Sequence, residues 1–285
     1  MRVLIAGCGY VGTSLARGLA SDGDTVFALS RSLSDLGGDV TTLRADLLDP
    51  TSLEVIPEAV DAVAYTVSAE APDEASYQMA YIEGIRALQR VFSARREPSP
   101  RFLFASSTSV YGQSKGEWIN EDSATIPENF RGRIILEGEK AALGFSDQVC
   151  SVRFGGIYGP GRTRLLREIK AQILQLPPQR PYFTNRIHRE DAAGVLRHLL
   201  RLGSVPSKLV AVDSEPADLY EVAEWISKRT DRLFPFHGGT GWKRGAGHKR
   251  CSNSLLRSLG YQLQFPTFRE GYGFLLDEAG RSEHI

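Results

Sequence analysis

Three glycines in the run Gly7-Cys8-Gly9-Tyr10-Val11-Gly12 separate a short apolar segment, Arg2–Ala6 (RVLIA), from an amphipathic stretch, Gly12–Ala20. That spacing suits a strand, a tight loop and a helix around a pyrophosphate. Gly7 permits the sharp turn, Gly9 lets phosphate approach the backbone, and Gly12 lets the helix pack against the strand. The first amides of such a helix, Tyr10 and Val11 among them, have no partners inside it. With the positive end of the helix dipole they favour an anion. A glycine run elsewhere would be an ordinary turn. Its place here, between strand and helix at the head of an alternating series, points to a dinucleotide.

The second strand ends in Ser30-Arg31-Ser32, and the first acid, Asp35, lies beyond it. A site for NAD places Asp or Glu near this point to bond the ribose 2′-hydroxyl. Hydroxyls and a guanidinium suit a 2′-phosphate instead, which favours NADP while leaving NAD open. The other reading of Arg31 is a solvated loop charge. Asp46-Leu47 follows the third strand, where Asp46 is either an acceptor for the adenine amino group or a turn aspartate. Thr66 and Ser68 follow the fourth strand, on the expected path of the nicotinamide half.

These groups need a scaffold, and the hydropathy pattern supplies one. Arg2–Ala6, Thr25–Leu29, Thr42–Ala45, Ala62–Val67 and Arg101–Ala105 read as buried strands, with amphipathic stretches between them, notably Tyr77–Ala94. Strands alternating with helices predict a parallel sheet, because parallel neighbours need crossover connections. Cys150–Phe154 and Lys208–Val212 add two strands, and Leu219–Arg229 reads as a helix capped by Asp218. After residue 155 proline and arginine become frequent and the strands shorten. The expected fold is α/β, a Rossmann-type doubly wound parallel sheet. Residues 1–155 form the dinucleotide-binding domain, with returning segments near 186–213, and 156–285 form a smaller substrate lobe over a ligand crevice.

Composition narrows the function. With 42% hydrophobic residues the 285-residue chain can build a core, so it is not disordered. Its 34 basic residues balance 34 acidic ones, which argues against a nucleic-acid or membrane-surface partner. The apolar stretch Val3–Ala6 is too short for a signal peptide, and no run approaches the roughly 18 apolar residues of a membrane span. Cys8, Cys150 and Cys251 are scattered, as are His188, His198, His237, His248 and His284, so neither a disulfide framework nor a metal site is expected. A cytoplasmic protein with a small-molecule partner fits best.

Three further segments carry a family likeness. Ser106–Gly112 (SSTSVYG), Arg153–Arg162 (RFGGIYGPGR) and Ile187–Asp191 (IHRED) resemble, in order, segments of the extended short-chain dehydrogenase/reductases. That superfamily contains NAD-dependent sugar-nucleotide epimerases and dehydratases. GCGYVG, TNRIH at 184–188, KRCSN at 249–253 and FPTFREGY at 265–272 resemble its atypical, YeeZ-like subgroup. The resemblance implies an oxidoreductase or epimerase/dehydratase-like enzyme using Ser, Tyr and Lys. The tyrosine would be the acid/base, the lysine its cationic support and the serine the group orienting the reacting oxygen. It also implies a homodimer through the Tyr77–Ala94 and Arg131–Leu143 helices.

Ser107 matches the family's serine. Alignment on Leu136 and Glu139 puts Arg131 at the tyrosine position and Ile135 at the lysine position, and neither does the expected job. Tyr111 is the remaining phenol near Ser107; its other reading is a packed aromatic. Arg131, Arg162, Arg186 and His188 are candidates for holding an anionic substrate such as a nucleotide sugar. Against this, the arginines read equally well as solvated charges and His188 as structural. Asp191 is expected to cap a helix over 192–200. The incomplete pair leaves a second function open, that of a catalytically inactive dinucleotide sensor or scaffold.

Overall fold

β1 (Arg2–Ala6) is apolar after its first residue, and those four residues are buried because the strand has a parallel neighbour on each side. These neighbours are β2 (Thr25–Ser30) and β4 (Ala62–Tyr65), with β3 (Val40–Arg44) beyond β2 and β5 (Arg101–Ser107) beyond β4. The Val149–Phe154 and Lys208–Ala211 strands complete a seven-stranded sheet. Its order places the reversal of strand sequence between β1 and β4, the point where doubly wound sheets bind ligands outside the carboxyl ends of their strands. β3 lies at the sheet edge and is correspondingly only half-buried. The structure, a computed structural model, describes residues 1–32, 36–95, 98–177, 180–232 and 248–282. Asp35, His237 and His284 lie outside them.

Two compact units can be separated. One comprises residues 1–111, 125–153 and 192–209; the other comprises 112–124, 154–191 and 210–285. In the first, α1 (Tyr10–Ser21) buries Val11, Leu15, Ala16 and Leu19 on one face, the spacing an amphipathic helix requires. The stretch expected to be one helix from Tyr77 is three pieces: α2 (Glu74–Gln78), a wide π turn (Met79–Glu83) and α3 (Gly84–Ser93). The interruption seats Tyr65. This side chain is completely buried, so its hydroxyl needs a partner, and it donates to the Ala80 carbonyl at 2.5 Å. α4 (Phe130–Leu143) begins where the Asn129 side chain accepts from the Gly132 amide.

The second unit has a core of its own, in which Tyr158, Ile169, Val222, Ile226, Phe268 and Tyr272 take part. Short two-stranded pairings frame it, among them Gly156–Tyr158 with Arg186–His188 and Phe183–Thr184 with Ala217–Asp218. The Leu219–Arg229 helix forms as expected, with Asp218 accepting from the Tyr220 amide. No helix among the described residues is long and apolar enough to cross a membrane.

Candidate functional site

The glycine loop leaves the carboxyl end of β1, and its three glycines are held by different things. Gly7 has φ +86°, and a Cβ there would lie 2.5 Å from the Val67 amide nitrogen. A Cβ on Gly12 would lie 2.7 Å from the Gly7 carbonyl oxygen and 2.8 Å from the Thr66 hydroxyl. Protein atoms therefore require both. Gly9 has no such neighbour: a Cβ there meets nothing within 4 Å. Gly9 is also the N-cap of α1, with no side-chain cap and no acid in the first turn. Elsewhere the chain caps helices with Asp73, Asn129 and Asp218. A helix end with neither a capping side chain nor an acid in its first turn, here Tyr10 and Val11, is one whose dipole favours an anion.

Around the loop the expected cofactor residues fall into supporting and outward-facing groups. Thr66 donates its hydroxyl to the Gly7 carbonyl at 2.8 Å, so it braces the turn. Ser68 is exposed. Ser30 donates to the Ser32 carbonyl, folding the chain after β2 and leaving Arg31 and Ser32 exposed. Arg31 forms an ion pair with Glu70. Asp46 accepts from the Leu48 amide at 2.9 Å through one carboxylate oxygen, while its own amide donates to Ser52. This is a turn contact, and Leu47 within it is half-buried.

β5 delivers Ser107 at its carboxyl end. Its oxygen accepts from the Ser109 amide at 3.1 Å, an arrangement that leaves the hydroxyl proton to donate. One residue earlier, Ser106 donates at 2.6 Å to Glu139 of α4. Glu139 also takes two bonds from Arg153, at 2.8 Å from Nε and 2.6 Å from Nη2. The remaining guanidinium nitrogen, Nη1, donates to the Tyr111 oxygen at 2.7 Å. Burial alone would lower the Arg153 pKa; the Glu139 carboxylate and Tyr111 more than offset this and raise it. Tyr111 is 2% exposed. Its oxygen thus supports a buried charge, and the cation beside this phenol is Arg153. Arg131 is exposed, its guanidinium lying 5.9 Å from the Tyr77 ring centroid and 5.6 Å from that of Phe130. Ile135 is buried among the apolar residues of α4.

The Glu139–Arg153 pair was within reach of sequence reasoning. An arginine in an otherwise uncharged buried strand and a glutamate four residues after Ile135 each demand a partner.

In the second unit, Arg162 is exposed in the turn closed by its amide and the Gly159 carbonyl. Arg186 is 6% exposed; one nitrogen donates to the Thr184 hydroxyl, while Nη1 is buried without a partner. His188 is completely buried against Phe265, Tyr158 and Phe274. Its Nδ1 accepts from the Glu190 amide, so the neutral ring carries its proton on Nε2. Burial pushes the imidazole down to about 4, which keeps it neutral at physiological pH, so it brings no positive charge for an anion. Asp191 does not cap a helix starting at 192. The helix runs Arg189–Arg201, and the carboxylate accepts from Tyr261 and from the Gln264 and Phe265 amides.

Asp213, which the sequence did not single out, is 1% exposed and has one carboxylate oxygen without a partner. Burial, countered in part by Arg186, raises it to about 7. A carboxyl raised on folding stabilises fully below its unfolded value of roughly 4, and the contribution is lost as pH rises through 7. His188 acts in the opposite sense below about 6.5. The test is therefore the difference between wild type and Asp213→Asn. Wild type should lose Tm relative to the variant from pH 4.5 to 7.5, and parallel melting curves would refute the assignment.

The sequence profile of the NAD dependent epimerase/dehydratase family matches residues 3–185. Protein YeeZ of Escherichia coli K12 is 28% identical over 211 residues, covering 70% of this chain and 73% of YeeZ. A solved Methylobacillus flagellatus protein assigned as an NAD-dependent epimerase/dehydratase is 32% identical, with a TM-score of 0.80 and 98% of each chain covered. MoeE5, solved with UDP-glucuronic acid and NAD, has the same fold at 22% identity, with a TM-score of 0.83, 99% of this chain and 100% of MoeE5 covered. With its glycine loop, its reversed strand order and a profile match spanning most of the sheet, this chain belongs to the NAD dependent epimerase/dehydratase family.

Proposed function

We propose that the chain binds a nicotinamide dinucleotide at the glycine loop and acts on an anionic small molecule, such as a nucleotide sugar, without a Tyr–Lys pair. Gly9 carries the reading. Protein neighbours demand glycine at 7 and 12, whereas at 9 they leave the backbone open, which is the space a ligand's close approach needs. The uncapped first turn of α1 fits the same phosphates. The cofactor would supply hydride exchange when bound. Ser107, whose proton is available, would orient the reacting oxygen; Tyr111 positions the buried pair beneath it rather than facing substrate.

Arg31 favours NADP over NAD, since the segment Ser30-Arg31-Ser32 at the end of β2 carries a guanidinium and no acid of its own. Thermal-shift titration with each dinucleotide tests both points, because a ligand bound only by the native state raises Tm by mass action. Arg31→Asp should weaken NADP by more than about tenfold and NAD by less than about twofold, replacing attraction to the 2′-phosphate with repulsion. Equal losses would remove Arg31 from that phosphate. A dinucleotide-binding protein without turnover is the second reading, favoured by the buried Ile135. It predicts binding with no NADPH oxidation against any carbonyl or nucleotide-sugar substrate.

A further inference from the structure

The ion pair between Arg31 and Glu70 joins two places that the sheet order sets on opposite sides of β1. Arg31 is the first residue after β2, and Glu70 stands five residues after the end of β4. β2 and β4 are the two parallel neighbours of β1, whose carboxyl end leads directly into Gly7. The pair therefore reaches across the strand end from which the glycine loop starts. Both side chains are more than half exposed, at 57% for Arg31 and 65% for Glu70, so neither is held by packing. Ser30 fixes the chain's course at this point through its bond to the Ser32 carbonyl.

We infer that Glu70 is a selectivity residue for the dinucleotide, competing with the 2′-phosphate for Arg31. The inference rests on the dinucleotide reading of the glycine loop. A 2′-phosphate carries more negative charge than one carboxylate and offers more oxygens, so it can draw the guanidinium away from Glu70. That exchange costs the existing pair, and the released carboxylate then stands near the incoming dianion and repels it. A ribose 2′-hydroxyl makes no such claim on Arg31, so NAD binds with the pair intact. Glu70 thus narrows the preference for NADP that Arg31 alone would create.

A double-mutant cycle on the full chain tests this, with NADP and NAD affinities measured by calorimetry or fluorescence. Glu70→Gln removes the charge and keeps the shape. It should tighten NADP by up to about fivefold at low salt, the scale of one exposed ion pair, and change NAD by less than about twofold. The gain should shrink in an Arg31→Ala background, where only the direct repulsion of the dianion is left to relieve, and at about 0.5 M salt, where exposed charges are screened. Equal tightening of both dinucleotides, no change in either, or an undiminished gain in Arg31→Ala would overturn the role of Glu70 while leaving cofactor binding intact. Wild-type protein that binds neither dinucleotide would overturn the glycine-loop reading and this inference with it.

Discussion

Gly9→Ala is expected to keep the melting temperature of the parent protein within a few degrees while weakening dinucleotide binding at least tenfold. The two halves of that result have separate causes. A methyl group at position 9 meets no protein atom within 4 Å, so it displaces nothing in the fold. The same methyl group stands at the N-cap of α1, above amides that have no side-chain cap, where a pyrophosphate must come within hydrogen-bonding distance of the backbone. Tenfold corresponds to about 1.4 kcal/mol, less than a displaced phosphate contact would cost. Gly7→Ala is the contrasting control. It places a side chain at positive φ and 2.5 Å from the Val67 nitrogen, so it should lower Tm as well as affinity. Melting curves and dinucleotide titrations on the two variants separate the effects. If Gly9→Ala binds like wild type, the loop does not hold a pyrophosphate.

That contrast also shows how far the sequence could be read. The loop was legible because each glycine has a local meaning once a strand precedes it and a helix follows. The sheet was legible for a similar reason: buried parallel strands are short apolar runs, and each of the seven expected runs lies in a strand of the sheet for most of its length. The break at Met79–Glu83 was hidden, since the carbonyl of Ala80 within it pairs with the hydroxyl of Tyr65, a distant residue on β4. Asp191 was misread because a carboxylate before a helical run usually caps it, whereas here it satisfies two amides more than 70 residues further on. Arg31 was visible as a charge at the right place, but its partner Glu70 was not, because nothing local links the ends of β2 and β4. Contacts within a few residues leave a pattern in the sequence; long-range polar pairing leaves only an unexplained charge.

Glu139 and Arg153 are such charges, and the largest loss of stability is expected from separating them. Both are nearly buried, at 7% and 4% exposure, and the carboxylate accepts two guanidinium bonds and one from Ser106. Glu139→Gln keeps the size and one of the two acceptor oxygens but strands a positive charge beneath β5. Removing one partner of a buried pair typically costs about 3–5 kcal/mol, which should lower Tm by roughly 10 °C in a chain of this size. Arg153→Met should cost a similar amount by stranding the carboxylate. Replacing both charges with apolar residues should cost less than either single change, because no uncompensated charge is left. The hydroxyls of Ser106 and Tyr111 would then be the remaining unpaired groups, and adding Ser106→Ala and Tyr111→Phe should recover most of the stability. Additive losses along this series would mean the four side chains do not act as one network. The stabilised quadruple variant also separates scaffold from chemistry. It keeps Ser107 and the glycine loop, so a folded variant that still binds dinucleotide but has lost turnover would assign the network, Tyr111 included, to the chemistry as well as the scaffold.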